Sequence, residues 1–323
     1  MTEVEAVAAE LRRADLRVAI ATHRNPDGDA IGSALGLARS LTDHGADVVL
    51  WHTDGDAVPD DLRFLLAPGE AFTATLPTDV ADRTLIALDC ASQARLDPND
   101  VRSAFASVIN VDHHHDNTGF GVTNLVAADA SSASEIVARL IALAGLPMSA
   151  HVAAPLYVGI VTDTGRFGYS NATPATHEVV AALLSTGLDA PRLHSLLYED
   201  RAVGATRLAA RAIEALHLSE DGRFARSVLT TADTEAAGSD DAEGIVEVLR
   251  GLRGVIVAAL VRPGNPAETT WRVSLRSRDG GVDVSAIARE HGGGGHAAAA
   301  GCTVPGTLDD VVAWLDGATR DTR

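Results

Sequence analysis

Lysine is absent from the chain. All 26 basic residues among its 323 are arginines, set against 44 Asp and Glu, for a formal net charge of -18. A surface so short of positive charge argues against long duplex nucleic acid as a partner, because neutralising a run of phosphates needs a basic face. Short nucleotides stay open, since a bound metal pair and a few arginines reverse the sign locally. The acidic surplus is itself a solubility feature. Aromatic residues are scarce at 4%, so the cores must be built from Ala, Val, Leu and Ile. Only two cysteines occur, Cys90 and Cys302, far apart and without thiols at metal-site spacing. That fits free thiols in a reducing cytoplasm. Long apolar runs are missing as well. The opening MTEVEAVAAELRRADLRVAI starts acidic and interrupts its apolar stretches with charge, so neither a signal peptide nor a membrane span is expected.

What is present is an ordinary globular balance, 46% hydrophobic and 22% charged, over a length that accommodates two domains. Short β-rich apolar runs alternate with helical patterns in the first half, which predicts an α/β fold on a parallel sheet. Val18–Ala21, Val48–Trp51, Leu85–Leu88 and Val108–Val111 read as buried strands. Ile31, Ala34, Leu35, Ala38 and Leu41 share one face of a helix after the first strand. Helical patterns recur at Ser134–Leu143 and His177–Leu184, with a third around Val152–Val161 that Pro155 interrupts. Residues 188–204 read as a connector between a first domain, 1–187, and a smaller α/β domain, 205–323. The second domain offers strands at Ser227–Thr230, Val255–Val261 and Trp271–Leu275. Its one low-complexity tract is GGGGHAAAAG.

The chemistry lies in where charged residues fall. His23 follows the first strand within H-R-N-P-D-G-D, Asp89 follows LIAL, and Asp112-His113-His114 follow VINV. Ligands of an open parallel sheet collect outside the carboxyl ends of its strands, so three strands deliver His and Asp to one crevice. Asp163, ending an apolar run in GIVTDTGRF, is a fourth contributor. Pro26 and Gly28 shape a turn that lets Asp27 and Asp29 face one site. Either carboxylate alone could instead be a helix cap. Concentrated carboxylates are costly in a half-buried cleft unless cations lie among them. His and Asp donors without thiolate suit Mn²⁺ or Mg²⁺ over structural zinc. Four Asp and two His exceed what one ion takes, so two ions are expected, with Asp89 on a central strand as the shared ligand. Such ions would make a bound water more acidic, near neutral pH, for attack on a phosphate ester. In the second domain, Gly293, Gly294 and Gly295 let the backbone approach a phosphate or base, and His296 follows them as a phosphate contact.

These segments resemble the DHH phosphoesterase family. The likeness runs through HRNPDGDAIGS, ALDC, NVDHHHDNTGFG and GIVTDTGRF, and the second domain resembles the family's DHH-associated, GGGGH-bearing module. The resemblance implies a catalytic first domain and a substrate-binding second domain, with a cleft between them. It implies His23, Asp27 and Asp89 at one metal and Asp29, Asp89, His113 and Asp163 at the other. It places His114 at the substrate phosphate and Asp112 behind the histidines, with Arg276 and Ser277 as phosphate contacts near the glycine loop. Arg276 and a further candidate, Arg262, are both weaker assignments than His296, and either arginine could instead only pack or pair on the surface. The extra His115 has no role in the family pattern and is read as surface.

Within the family, a pyrophosphatase carries a different second domain, and a long-substrate exonuclease carries further nucleic-acid-binding domains. What the resemblance leaves is a stand-alone oligoribonuclease of the 3′–5′ exonuclease type. Its substrates would be short RNAs (nanoRNA) and 3′-phosphoadenosine 5′-phosphate (pAp), with two Mn²⁺ ions that Mg²⁺ or Co²⁺ could replace. Relatives that cut cyclic di-AMP or pApA are the alternative, and a non-catalytic nucleotide sensor a more distant one. A homodimer is expected from the frequency of such assemblies.

Overall fold

The computed structural model describes residues 2–320 apart from 14, 57, 279 and 280. Two compact units emerge, Met1–Asp200 and Arg201–Arg323. In the first, α1 (Glu3–Leu11) precedes β1 (Arg17–Thr22), α2 (Gly28–His44), β2 (Asp47–Leu50), β3 (Thr84–Leu88), α3 (Gln93–Leu96), β4 (Ser107–Asp112) and β5 (Thr123–Val126). Helices α4 (Ala133–Ala144), α5 (Ala150–Asp163), α6 (Pro174–Leu184) and α7 (Ala190–Tyr198) follow.

All five strands are parallel, in the order β2-β1-β3-β4-β5. Strands β1 and β3 are apolar along almost their whole length because both faces are covered. The chain leaves β1 towards β2 on one side and β3 pairs on the other, so the order reverses between β1 and β3. Such a switch point opens a crevice at the strands' carboxyl ends.

Helix α2 is buried from Gly28 to Leu41, including all five residues assigned to its apolar face. Its glycines recur every fourth residue and press its backbone against α5. A Cβ at Gly32 would lie 2.4 Å from the Pro155 carbonyl, and one at Gly36 would lie 2.4 Å from Leu156. Pro155 lies inside a continuous α5 rather than breaking it. The four strands predicted in the first half appear within one residue of their expected bounds, while α1 and the edge strand β5 carried too little pattern to be anticipated. The stretch 188–204 is more ordered than a bare connector: α7 docks Leu193 into the first unit's core.

The second unit comprises α8 (Val203–Glu214), β6 (His217–Leu218), β7 (Phe224–Val228), α9 (Thr231–Ala237), α10 (Ile245–Arg250), β8 (Val257–Pro263) and β9 (Thr270–Ser277). It closes with α11 (Val284–Arg289), β10 (Gly294–His296), β11 (Ala299–Pro305) and α12 (Leu308–Arg320). Its sheet runs β10-β11-β9-β8-β7-β6, with β7 and β8 parallel and the other pairs antiparallel. Helices α11 and α12 pack on one face against Trp271, Val273 and Leu275. Helices α8, α9 and α10 pack on the other against Ala258 and Leu260. Among the described residues no helix is long and apolar enough to cross a membrane.

Candidate metal centre

Each charged side chain reaches the crevice by a different local device. His23, just past β1, is buried, and its Nδ1 donates to the Arg24 carbonyl at 2.8 Å. That bond fixes the proton on Nδ1 and turns the Nε2 lone pair towards Asp89. Asp27 caps α2, one oxygen accepting from the Asp29 and Ala30 amides at 3.1 Å. The cap reading was therefore correct for Asp27, yet it occupies only one of the two oxygens. Asp29, two residues on, caps a different helix: its oxygens accept from Ala133 at 2.6 Å and Ser134 at 2.8 Å, at the start of α4. The contact needs a glycine on α5, because a Cβ at Gly159 would lie 2.0 Å from Ser134 Oγ and 2.9 Å from Asp29 Oδ1.

Asp89 stands at the end of β3 with a left-handed φ of 52°, a conformation that costs a non-glycine residue about 1–3 kcal/mol. Its amide donates to the Val111 carbonyl of β4 at 3.0 Å, which holds the strained residue to the sheet. Asp112, wholly buried, accepts from the His113 amide and from His114 Nδ1, both at 2.8 Å, and from Asn117 Nδ2 at 2.5 Å. Those bonds occupy Asp112 as a support for the histidines. His114 Nδ1 also lies 3.5 Å from Asp89 Oδ1. Asp163 ends α5, and Asn171 clamps its carbonyl to that of Ser131 at 3.1 and 3.0 Å.

Donor groups with ligand atoms close enough to hold one ion include His23, Asp27 and Asp89, then Asp29, His113 and Asp163, and also Asp89, Asp112, His113 and His114, of which the first two use the predicted ligands alone. Asp89 stands between them. Its Oδ2 lies 3.4 Å from His23 Nε2 and its Oδ1 3.4 Å from His113 Nε2. His113 Nε2 is 3.7 Å from Asp29 and 3.6 Å from Asp163. These separations are longer than hydrogen bonds and are those of donors around a shared cation with metal–ligand distances of ~2.1 Å. Asp89 Oδ1 and Asp163 Oδ2 are buried without a hydrogen-bond partner among the described residues.

The electrostatics agree. Burial, with Asp89 nearby, pushes the Asp29 carboxyl up to about 7. Burial also drives Asp163 well above the ordinary carboxylate range, helped by Asp29, Asp27 and Asp89. For Asp89 burial works in the same direction, but the flanking His113 and His23 outweigh it and hold the group low. Burial would lower His113, yet Asp163, Asp89 and Asp29 raise it well above its usual value. A cluster that forces protons onto its carboxylates and imidazoles is one that demands positive charge. Oxygen and imidazole donors, orphaned oxygens and no thiolate fit a divalent cation.

In the second unit, Gly294–His296 forms strand β10 rather than a free loop, paired with β11. Glycine is required there for space, since a Cβ at Gly293 would lie 2.2 Å from the Gly301 carbonyl and one at Gly295 2.4 Å from that of Ala299. His296 and Arg276 share a face through Ala299, with Arg276 also bonded to Glu247 at 2.7 Å. Ser277 is a correction. Strand alternation turns it to the opposite, helix-covered face, where its hydroxyl accepts from Val282 N at 3.0 Å and it cannot join His296. His115 is exposed, as expected. Asn117 and Asn171 were missed. Asn117 follows the DHH run closely enough to have been suspected, whereas nothing local marks Asn171.

Comparison with known proteins finds two family matches in the chain. The DHH family, N-terminal domain, matches residues 17–160, and the DHHA1 domain matches residues 226–320. The "Bifunctional oligoribonuclease and PAP phosphatase NrnA" of Thermus thermophilus is 35% identical over 300 residues, 93% of this chain and 88% of that protein. Its Bacillus subtilis namesake is 29% identical over 288 residues, 87% of each chain. Among solved structures, an exopolyphosphatase-related protein from Bacteroides fragilis superposes with a TM-score of 0.88 at 26% identity, covering 99% of this chain and 96% of that one.

Proposed function

The chain belongs to the DHH family, and from that premise we propose that it is a metal-dependent phosphoesterase hydrolysing short oligoribonucleotides and pAp. One observation carries the reading: two His and Asp donor groups meet at Asp89 in a chain that aligns along 88% of a relative named for both activities. His23, Asp27 and Asp89 would hold one ion, and Asp29, Asp89, His113 and Asp163 a second, with Mn²⁺ the favoured metal. Divalent ions bound there supply charge stabilisation at phosphate oxygens and a more acidic water.

The protein's own groups do the rest. His114, whose Nδ1 donates to Asp112, would present its other nitrogen to a phosphate, as a donor when both ring nitrogens carry protons. The strained Asp89 keeps its two oxygens directed at two different histidines, so the donor set is arranged before substrate arrives. His296 and Arg276, on one face of the second unit's sheet, bind a nucleotide phosphate, and the glycines beside them admit it closely. Residues 1–187 would thus carry hydrolysis, 188–204 the connection and 205–323 substrate binding.

The test is turnover of pAp, a dinucleotide RNA, a longer RNA and cyclic di-AMP with Mn²⁺ and with EDTA. Hydrolysis of pAp and short RNA, lost in EDTA and in Asp89→Asn while the circular dichroism spectrum is unchanged, is expected. Undiminished turnover in EDTA refutes the metal reading, and exclusive hydrolysis of cyclic di-AMP refutes the substrate assignment.

A further inference from the structure

One face of the second unit's sheet is only half covered. Helices α8 and α10 bury Ala258 and Leu260 against Leu208, Ile245 and Leu249 over β7 and β8. Across β9 and β11 the same face is open: Arg272, Gly301 and Thr303 are exposed, while Ser274, Arg276 and Ala299 are half-buried. The alternate residues Val273, Leu275, Ala300 and Cys302 face the opposite core.

Register arranges this open face in two rungs. His296, Ala299 and Arg276 line up across β10, β11 and β9. Thr303, Arg272 and Arg262 line up across β11, β9 and β8. The rungs are four residues apart along β9, about 13 Å at the rise of an extended strand. Between them the floor is Ser274 and Gly301, small enough for a sugar-phosphate backbone to lie against the sheet.

The second rung is electrostatically unusual. Arg262 and Arg272 are directly opposite on antiparallel strands, a like-charge pairing that destabilises a sheet. Arg262 Nε is buried without a hydrogen-bond partner among the described residues, and its Nη1 reaches only the Asp240 carbonyl, at 3.4 Å. Burial and the neighbouring Arg272 both push the Arg262 pKa down, while Glu243, Asp240 and Asp241 offset part of that cost. An anion against both guanidiniums would relieve the repulsion, and phosphate matches their donor geometry. Of the three arginines on this face Arg276 is paired with Glu247 and Arg262 is half-buried, so Arg272, exposed beside Arg262, is the group through which a phosphate would reach the pair.

We propose that Arg262 and Arg272 form a second phosphate-binding position, which engages oligoribonucleotides of several units and which one nucleotide held at His296 cannot reach. The inference rests on the reading of this chain as a hydrolase of short RNA, and it makes that enzyme sensitive to substrate length through KM rather than kcat.

The test compares wild type, Arg272→Ala and Arg272→Lys on pAp and on a five-nucleotide RNA, with Mn²⁺. Arg272→Ala should raise KM for the RNA about tenfold more than KM for pAp, the effect of removing one charge-assisted hydrogen bond, with kcat little changed. The slope of log kcat/KM for the RNA against log salt should become shallower by about 0.7 for each phosphate that is no longer neutralised. Arg272→Lys should restore much of both. Equal changes in KM for the two substrates, or an unchanged salt slope, would overturn the proposal. Binding of the fluorescent RNA in EDTA separates the two readings. Equal affinity of wild type and Arg272→Ala overturns the second position, whereas weakened RNA binding by the variant together with no turnover by wild type overturns the hydrolase assignment alone.

Discussion

Replacing Gly159 by alanine sets two physical effects of opposite sign against each other. Gly159 lies inside α5, and by helix propensity alone the change should stabilise the protein by about 1 kcal/mol. The surroundings decide otherwise. The new methyl would lie 2.0 Å from Ser134 Oγ, 2.8 Å from Ser134 Cβ and 2.9 Å from Asp29 Oδ1, and Ser134 is completely buried. Overpacking of this kind costs about 1–3 kcal/mol, and with Ser134 fully buried the upper end applies, so the net effect is a loss of up to about 2 kcal/mol. At about 2–4 °C per kcal/mol for a unit of this size, Tm should fall by several degrees. The start of α4 must also move off the Asp29 carboxylate that it binds at 2.6 and 2.8 Å. A displacement of about 1 Å at a reacting centre can cost about 100-fold in rate, so kcat/KM on pAp should drop by about that much. Gly317→Ala in α12 is the control, because a Cβ there meets nothing within 4 Å; it should raise Tm and leave activity unchanged. Combining Gly159→Ala with Ser134→Gly should recover part of both losses. Thermal unfolding followed by circular dichroism, with steady-state kinetics, gives the answer. If Gly159→Ala raises Tm as Gly317→Ala does and keeps full activity, the close approach of α5 to Asp29 is not what shapes the site.

Other consequences are as direct. Asn117→Ala removes the amide that donates to Asp112, Asn110 and the Cys90 carbonyl; kcat should fall about 10- to 100-fold, and Asn117→Gln should not restore it. Metal should stabilise the fold: Mn²⁺ at 100 times its Kd adds about 2.7 kcal/mol, visible as a Tm rise that EDTA reverses and Asp89→Asn abolishes. Away from the site, Arg39 grips Glu70 with two bonds of 2.8 and 2.6 Å. Burial alone would raise Glu70, but Arg39 holds its pKa below the usual value. Stability from this pair is therefore present above the unfolded carboxyl's pKa of about 4.3 and is lost as pH falls through the lower folded value. Glu70→Gln should be less stable than wild type at pH 7 by a few kcal/mol, with the difference closing below about pH 4; a constant difference across that range would contradict the ion-pair assignment.

Much of the first unit was legible because buried parallel strands announce themselves as β-branched apolar runs, and the residue after each run inherits a position at the sheet's carboxyl edge. His23, Asp89 and His113 follow from that rule. Asp27 was legible as a turn residue, although its capping role could be separated from its site role only once its single bonded oxygen was visible. Ser277 misled because adjacency to Arg276 in sequence means opposite faces in a strand. The edge strand β5, short and interrupted by Asn124, had no pattern strong enough to be seen.

By itself, then, the sequence determined the strand ends, the donor chemistry, the acidic balance and the family. Those properties are local: they depend on residue type and on periodicities of two and 3.6. Only the tertiary structure decided that Asp29 caps a helix 104 residues away, that Gly159 exists to admit it, and that Asp89 divides its oxygens between His23 and His113. It also placed Arg262 across from Arg272, a pairing set by strand register. Contacts of that range are fixed by how helices and strands pack, and no single segment of the chain carries the information.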